Sequence, residues 1–482
     1  MAPQHFLVVA FPGQGHINPA RALAERLARA TPGARVTLSA AVSAHRRMFP
    51  SLASPDEEVQ DGAISYIPYS DGYDHGFSLF AGDGDEAERY TEAFGRVGSE
   101  TFSAVLDRLA ARGRPVTCVV YAMLMWWAAE AARERGVPRA LYWIQPATML
   151  AVYYHYFHGC ERLVTEHAAE PGFTVSMPGL PPMAIRDLPS FFTNLTDGRI
   201  VAAFGDIRRT FQQLDLDVGS GSSAGGSSQA MVLVNTVEEL EAGALASVPG
   251  LDVFPVGPAV VSLFTQGEGG TGGTAAAVGD LFEHDEKGYM EWLDTKPARS
   301  VVYVSFGSMA AVSKRQKDEL KRGLAASGRP YLWVVRNNNR GDGFDEGGDE
   351  RGMVVGWCDQ VRVLSHPAVG CFVTHCGWNS TLETVACGAP VVAVPQWSDQ
   401  DTNARLIVQW GIGVRAETDV DRVLDAEELG RCLEMIMGDR EEGAAIRVNS
   451  AAWEAKLRQA IADGGSSGRN LKTFLDQFAN DA

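Results

Sequence analysis

Cysteine is scarce and poorly placed for bonding. Seven occur in 482 residues, at positions 118, 160, 358, 371, 376, 387 and 432, an odd set with no Cys-x-x-Cys pair. That distribution argues against a disulfide framework or a structural zinc site and predicts small buried thiols in a reducing compartment. Positive charge is also in short supply: 42 Lys and Arg stand against 60 Asp and Glu, a net charge of −18. Such a balance disfavours nucleic acid or an anionic membrane as a partner. No hydrophobic run is long enough to span a bilayer. The longest, Ala140 to Phe157, is interrupted by Gln145, Pro146 and His155 and reads as strand, turn and helix. The N-terminus passes directly into strand-like Phe6–Ala10 without a basic region or cleavage site, so no signal peptide is expected and the cytoplasm is the expected location.

What is present is an α/β rhythm. At 482 residues the chain exceeds one ordinary core and predicts two or three domains. Short apolar runs alternate with amphipathic stretches, the sign of parallel sheets covered by helices. Candidate strands in the first half are Phe6–Ala10, Val36–Ala40, Ala63–Ile67, Thr117–Tyr121, Arg139–Trp143 and Met231–Asn235. In the second half they are Ser300–Phe306, Tyr331–Val335, Met353–Val355, Cys371–Thr374 and Val391–Val394. Gly219 to Gln229 is a Gly/Ser insertion that reads as a surface loop, and Gly267 to Gly279 is similarly loose. These breaks place a Rossmann-like domain over residues 1–248, a linker over 249–285 and a second Rossmann-like domain from 286.

The densest information lies between Trp357 and Gln400. The apolar run Cys371–Thr374 ends at His375, and Gly377 permits a tight turn. Ser380-Thr381-Leu382-Glu383 has the spacing of a capping box opening a helix, and Gly388 suits its end. Strand, glycine turn and helix N-terminus together form a place for an anion. A diphosphate there would be held by backbone amides, by the Asn379 and Ser380 side chains and by His375, with His375 and helix N-termini supplying positive potential. Near the N-terminus, Phe11-Pro12-Gly13-Gln14-Gly15-His16-Ile17-Asn18-Pro19 follows the first strand. Asn18 reads as an N-cap and Pro19 as the first helical residue, so His16 falls in the turn at a strand's carboxyl end, where open α/β sheets bind ligands. The Gly-x-Gly-x-x-Asn spacing is a poor dinucleotide fingerprint.

The Trp357–Gln400 segment strongly resembles the donor-binding signature of plant family 1 glycosyltransferases, which take sugar from UDP-sugars, and FPGQGHINP resembles the catalytic turn of the same family. The resemblance implies the GT-B fold, two Rossmann-like domains facing a cleft. It also implies that the acceptor binds the first domain and UDP-sugar the second, at 286–460, while the C-terminal helix, within 461–482, packs back on the first. It assigns Trp357 to the uracil, Gln360 and Glu383 to the ribose, and Trp378, Asp399 and Gln400 to the sugar. The Gly307-Ser308 loop would reach the diphosphate. Glutamine at 400 is the family's usual choice for glucose. His16 becomes the general base of a direct, inverting displacement without a metal; Asp215-Leu216-Asp217 and Asp419-Val420-Asp421 have DxD spacing but are expected on solvated surfaces.

Ser70–Asp74, Ala140–Gly159, Trp292–Pro297 and Ser300–Ser308 narrow the resemblance to anthocyanin 5-O-glucosyltransferases and their hormone and apocarotenoid relatives. Gln14, Met123, Trp127 and Gln145 are candidate acceptor-pocket residues. One position departs: the family commonly carries an aspartate after the strand ending at Tyr121, bonded to the catalytic histidine, and here it is Ala122. The expectation is therefore a monomeric enzyme, with UDP-glucose as co-substrate and no other cofactor, that glucosylates a phenol such as a flavonoid. Glucose-ester formation on a carboxylic acid and a non-catalytic UDP-sugar-binding protein are the alternatives.

Overall fold

The computed structural model describes residues 4–54, 56–77, 84–194, 196–219, 229–260, 288–309, 312–336 and 351–478. The chain divides into two compact units. One comprises Met1–Ile185, Phe191–Leu281 and Ala460–Ala482; the other comprises Arg186–Ser190 and Phe282–Gln459.

The first unit is built on an eight-stranded sheet. Its strand order is Leu251–Pro255, Ala230–Val234, Arg139–Trp143, Cys118–Ala122, His5–Val9, Arg35–Ser39, Ile64–Tyr66 and Val59–Asp61. All pairings are parallel except the last. The central strands His5–Val9, Cys118–Ala122 and Arg139–Trp143 are buried along their whole length, which is why they read as unbroken apolar runs. Leu251–Pro255 belongs to this sheet, so it extends past residue 248. The helix Ser466–Asp476 belongs to the same unit. Phe474 lies against Phe254 at 5.6 Å, Phe478 against Phe6 at 5.7 Å, and Arg26 donates to Ser467 Oγ at 3.0 Å.

The second unit holds a six-stranded parallel sheet in the order Gly352–Val355, Tyr331–Val334, Val301–Ser305, Val369–Thr374, Val391–Ala393 and Gly413–Arg415. In both sheets the order reverses beside a central strand. The reversal falls between His5–Val9 and Cys118–Ala122 in one, and between Val301–Ser305 and Val369–Thr374 in the other. A crevice opens outside the carboxyl ends of strands at such a switch point. In the first unit His16 lies in the first helical turn after His5–Val9 and Ala122 ends Cys118–Ala122; in the second, Gly307 and His375 follow their strands.

Short strands the sequence did not signal are Val59–Asp61, Thr174–Val175, Met183–Ala184 and Gly413–Arg415. Most of Gly219–Gln229 and all of Gly267–Gly279 lie outside the described residues. Five cysteines are buried and Cys160 and Cys387 half-buried, all as free thiols. Among the described residues no helix is long and apolar enough to cross a membrane.

Candidate functional site

In the second unit, the turn after each of the first five strands in chain order carries a polar or aromatic group at the same sheet edge. These are Ser308, Arg336, Trp357 with Gln360, His375 to Ser380, and Gln396 to Gln400. Gln360, the first residue of the short helix Gln360–Leu364, anchors the group. Its Nε2 donates to Ser380 Oγ at 2.8 Å and to Glu383 Oε2 at 2.5 Å, and its Oε1 accepts from the Tyr303 hydroxyl at 3.2 Å. Three residues chosen from sequence are thus joined in one network; Trp357, three residues before Gln360, is half-buried.

The helix carrying Ser380 and Glu383 begins at Trp378, not at Ser380. Gly377 is its N-cap and makes no side-chain cap, so the expected capping box does not form. The Ser380 hydroxyl accepts from Gln360 instead. Gly388 ends the helix as expected, at φ +61°, with Ala389 N–H donating to Thr384 carbonyl at 3.1 Å. The positive end of the helix dipole therefore lies at Trp378–Ser380. Trp378 itself is 4% exposed and meets Trp410 at 6.3 Å.

His375 fills the space between two glycines: a Cβ on Gly307 would come within 2.5 Å of its Nε2, and one on Gly377 within 2.6 Å. Gly307 also sits at φ +72°, so both its conformation and its neighbour require glycine. Burial first, then the positive charge of Arg336, pushes the His375 imidazole down to about 4. His375 is therefore neutral near pH 7 and offers a hydrogen bond rather than charge, contrary to the expectation from sequence. The cation at this edge is Arg336, 8% exposed, whose Nη1 donates to the Ser308 carbonyl.

The last turn is held by side chains of the helix it precedes, Gln400–Gln409. Gln400 Oε1 accepts from Gln396 N–H at 2.8 Å and Trp397 N–H at 3.1 Å, which fixes the direction of its amide. Asn403 Nδ2 bridges Asp399 Oδ2 at 2.6 Å and the Cys376 carbonyl at 2.8 Å. Burial outweighs that hydrogen bond and pushes the Asp399 carboxyl up to about 6. The segment Arg186–Ser190 braces the same turn. Ser398 N–H donates to Ser190 Oγ at 2.7 Å, and Asp187 pairs with Arg415 at 2.9 Å and Arg405 at 3.3 Å.

In the first unit, the helix after the first strand begins at Gln14, with Gly13 as N-cap and Pro19 inside it. The N-terminus expected at Asn18 and Pro19 lies five residues too late, and His16 stands in the first helical turn. Its ring is 5.0 Å from Phe11, and its Nδ1 is enclosed without a hydrogen-bond partner. Burial pushes this imidazole down to about 4. Ala122, 1% exposed, closes the adjacent strand. Of the acceptor candidates, Gln14 and Met123 are buried and Gln145 is half-buried. Trp127 has no exposed surface and packs edge-on against Tyr69, Phe94 and Phe102, so its place is in the aromatic core.

Strain marks these turns. Among the described residues, three of the five non-glycine residues with positive φ are Leu124, Cys376 and Ser398, each beside a candidate site residue. Asp217, expected on a solvated surface, is instead buried in ion pairs with Arg139 and Arg133, while Asp215 meets His158 and Asp419 and Asp421 meet Arg315. Among the described residues no group of His, Cys, Asp and Glu is arranged to hold a metal ion. Sequence reasoning missed Tyr303, Arg336, Asn403 and Asp187. Arg336 was within reach, because it directly follows an identified strand; the others depend on tertiary contacts.

The family model described as UDP-glucoronosyl and UDP-glucosyl transferase matches residues 274–449. The chain is 41% identical to crocetin glucosyltransferase of Gardenia jasminoides, over 98% of this chain and 97% of that one. It is also 41% identical to anthocyanidin 3-O-glucoside 5-O-glucosyltransferase 1 of Perilla frutescens, over 99% of this chain and 100% of that one. The crystal structure of Os79 from O. sativa in complex with UDP superposes with a TM-score of 0.78 at 30% identity, covering 98% of this chain and 100% of that one.

Proposed function

The chain belongs to the UDP-glucosyltransferase family, in the plant subgroup that includes the anthocyanidin 5-O-glucosyltransferases, and on that premise we propose how its residues divide the work. The second unit binds UDP-glucose. Trp357 stacks on uracil, Gln360 and Glu383 take the ribose, and the Gly307-Ser308 turn, His375, Asn379 and Ser380 take the diphosphate. Trp378, Asp399 and Gln400 take the sugar. The first unit brings the acceptor, a phenolic hydroxyl of the flavonoid type, to His16. The acceptor oxygen attacks the anomeric carbon, its proton passes to the imidazole, and the bond to UDP breaks with its electron pair. A single displacement turns the α-linked donor into a β-glucoside. The Gln360–Ser380–Glu383 network carries this reading, because it holds an amide, a hydroxyl and a carboxylate together, the groups that vicinal ribose hydroxyls demand.

The enzyme works as a cytoplasmic monomer without a metal, so a chelator leaves its rate unchanged. Ester formation on a carboxylic acid is the second reading, favoured by the unpartnered Nδ1 of His16. A mass-spectrometric screen with UDP-glucose against matched phenols and carboxylic acids separates the two: phenol glucosides survive mild alkali and glucose esters do not. UDP binding with no product from any acceptor would leave only a binding protein. His16→Ala is expected to abolish transfer to a phenol and leave UDP affinity unchanged in calorimetry; normal phenol turnover by the variant removes the histidine from the mechanism.

A further inference from the structure

The proton balance of the proposed reaction depends on His16, and its setting is poor for a base. Nδ1 is enclosed and unpartnered, which leaves Nε2 to meet an acceptor. To receive a proton at Nε2, the ring must carry an N–H at Nδ1, where nothing accepts it. An enclosed N–H without an acceptor slows such a step roughly 5- to 150-fold. The opposite tautomer, with Nε2–H outward, leaves only an unmet lone pair inside. No charged side chain contributes to the depressed basicity, which comes from burial alone. Phe11, the ring His16 lies against, is apolar and offers no acceptor.

We propose that this site selects acceptors whose oxygen is ionised, or nearly so, before transfer: phenols that titrate near neutrality, or carboxylates. This rests on the transferase reading above. For such an acceptor the anion attacks the anomeric carbon and UDP departs with the bonding electrons. The proton transfer to His16 that a neutral phenol needs drops out of that step, and His16 donates from Nε2 to position the oxygen.

The test is a series of hydroxycoumarins of one outline, with ring substituents that move the hydroxyl pKa, and a carboxylic acid on the same ring. At pH 7 the wild-type kcat/KM is expected to fall roughly 100-fold as the hydroxyl pKa rises from about 7 to about 10, because ionisation falls faster than nucleophilicity rises. Alkali lability assigns any product of the carboxylic arm. Ala122→Asp is expected to raise the slow end about tenfold and leave the fast end unchanged, by giving Nδ1–H an acceptor. Equal kcat/KM across the wild-type series overturns this inference alone, and it needs no variant to fold. Failure to form product with every acceptor, with UDP still bound, overturns the transferase reading as well.

Discussion

Individual side chains in the donor site are fixed by one another before any ligand arrives. Gln360 has both amide hydrogens and its oxygen engaged, and one of those hydrogens holds Glu383 Oε2 in place. Glu383→Ala is expected to weaken UDP binding by about 1.5–3 kcal/mol, the usual worth of a hydrogen bond to a charged group. The loss should shrink when 2′,3′-dideoxy-UDP replaces UDP, since the hydroxyls that the carboxylate would hold are gone; an undiminished loss in calorimetry would remove Glu383 from the ribose. Asp399 carries the pH dependence. Its carboxyl is pushed up from 3.8 to about 6, so the folded protein holds that proton more tightly than the unfolded chain. This group therefore favours folding most at low pH, and that contribution is lost as pH rises through about 6. Sugar recognition by Asp399, as proposed, runs the opposite way, because only the ionised carboxylate is a pure acceptor. UDP-glucose affinity is expected to rise through about pH 6 while UDP affinity does not, a difference that Asp399→Asn should erase.

At the scale of elements, the acceptor side depends on a buried carboxylate the sequence did not reveal. Glu241, 5% exposed, accepts from the Ala147 and Thr148 amides at 3.0 and 2.8 Å and from the Thr148 and Thr236 hydroxyls at 2.8 and 2.7 Å. It thereby caps the helix Ala147–His155 from another segment and fixes the turn that carries Gln145. Glu241→Ala strands these buried donors and is expected to cost about 3 kcal/mol in urea unfolding. It should also raise the acceptor KM and leave UDP affinity unaltered. The two helix starts placed too late share one cause. Ser380 and Asn18 have good capping chemistry, but Gly377 and Gly13 already provide the extended backbone that opens a helix earlier. Capping residues identify the neighbourhood of a helix start more securely than its first residue.

For the whole molecule, the net charge of −18 repels polyanions generally, so recognition of an anionic donor must be local. On the proposed reading, Arg336, the helix end at Trp378 and neutral hydrogen-bond donors supply it within the second unit. UDP should therefore stabilise the unit that holds them. At 100 times its Kd, UDP is expected to add about 2.7 kcal/mol by mass action and to raise that unit's unfolding temperature in calorimetry. His16→Ala should keep the rise and Glu383→Ala should diminish it; the reverse pattern would move the donor site to the other unit.

The sequence by itself determined the α/β alternation, nearly every central strand and the family. Parallel strands buried on both faces must be apolar throughout, and the donor segment keeps specialised residues at fixed spacings within one short stretch. It also located Gln360, Ser380 and Glu383, because a turn and one helix bring them close along the chain. The tertiary structure alone decided that Arg186–Ser190 braces the Asp399 turn, that Glu241 caps a distant helix, and that Trp127 belongs to the core. It also decided the charge states: His375 is neutral beside Arg336, and His16 is neutral with an unpartnered nitrogen. Burial and the groups facing a side chain set its proton affinity and its partners, and those neighbours are separated by up to hundreds of residues along the chain.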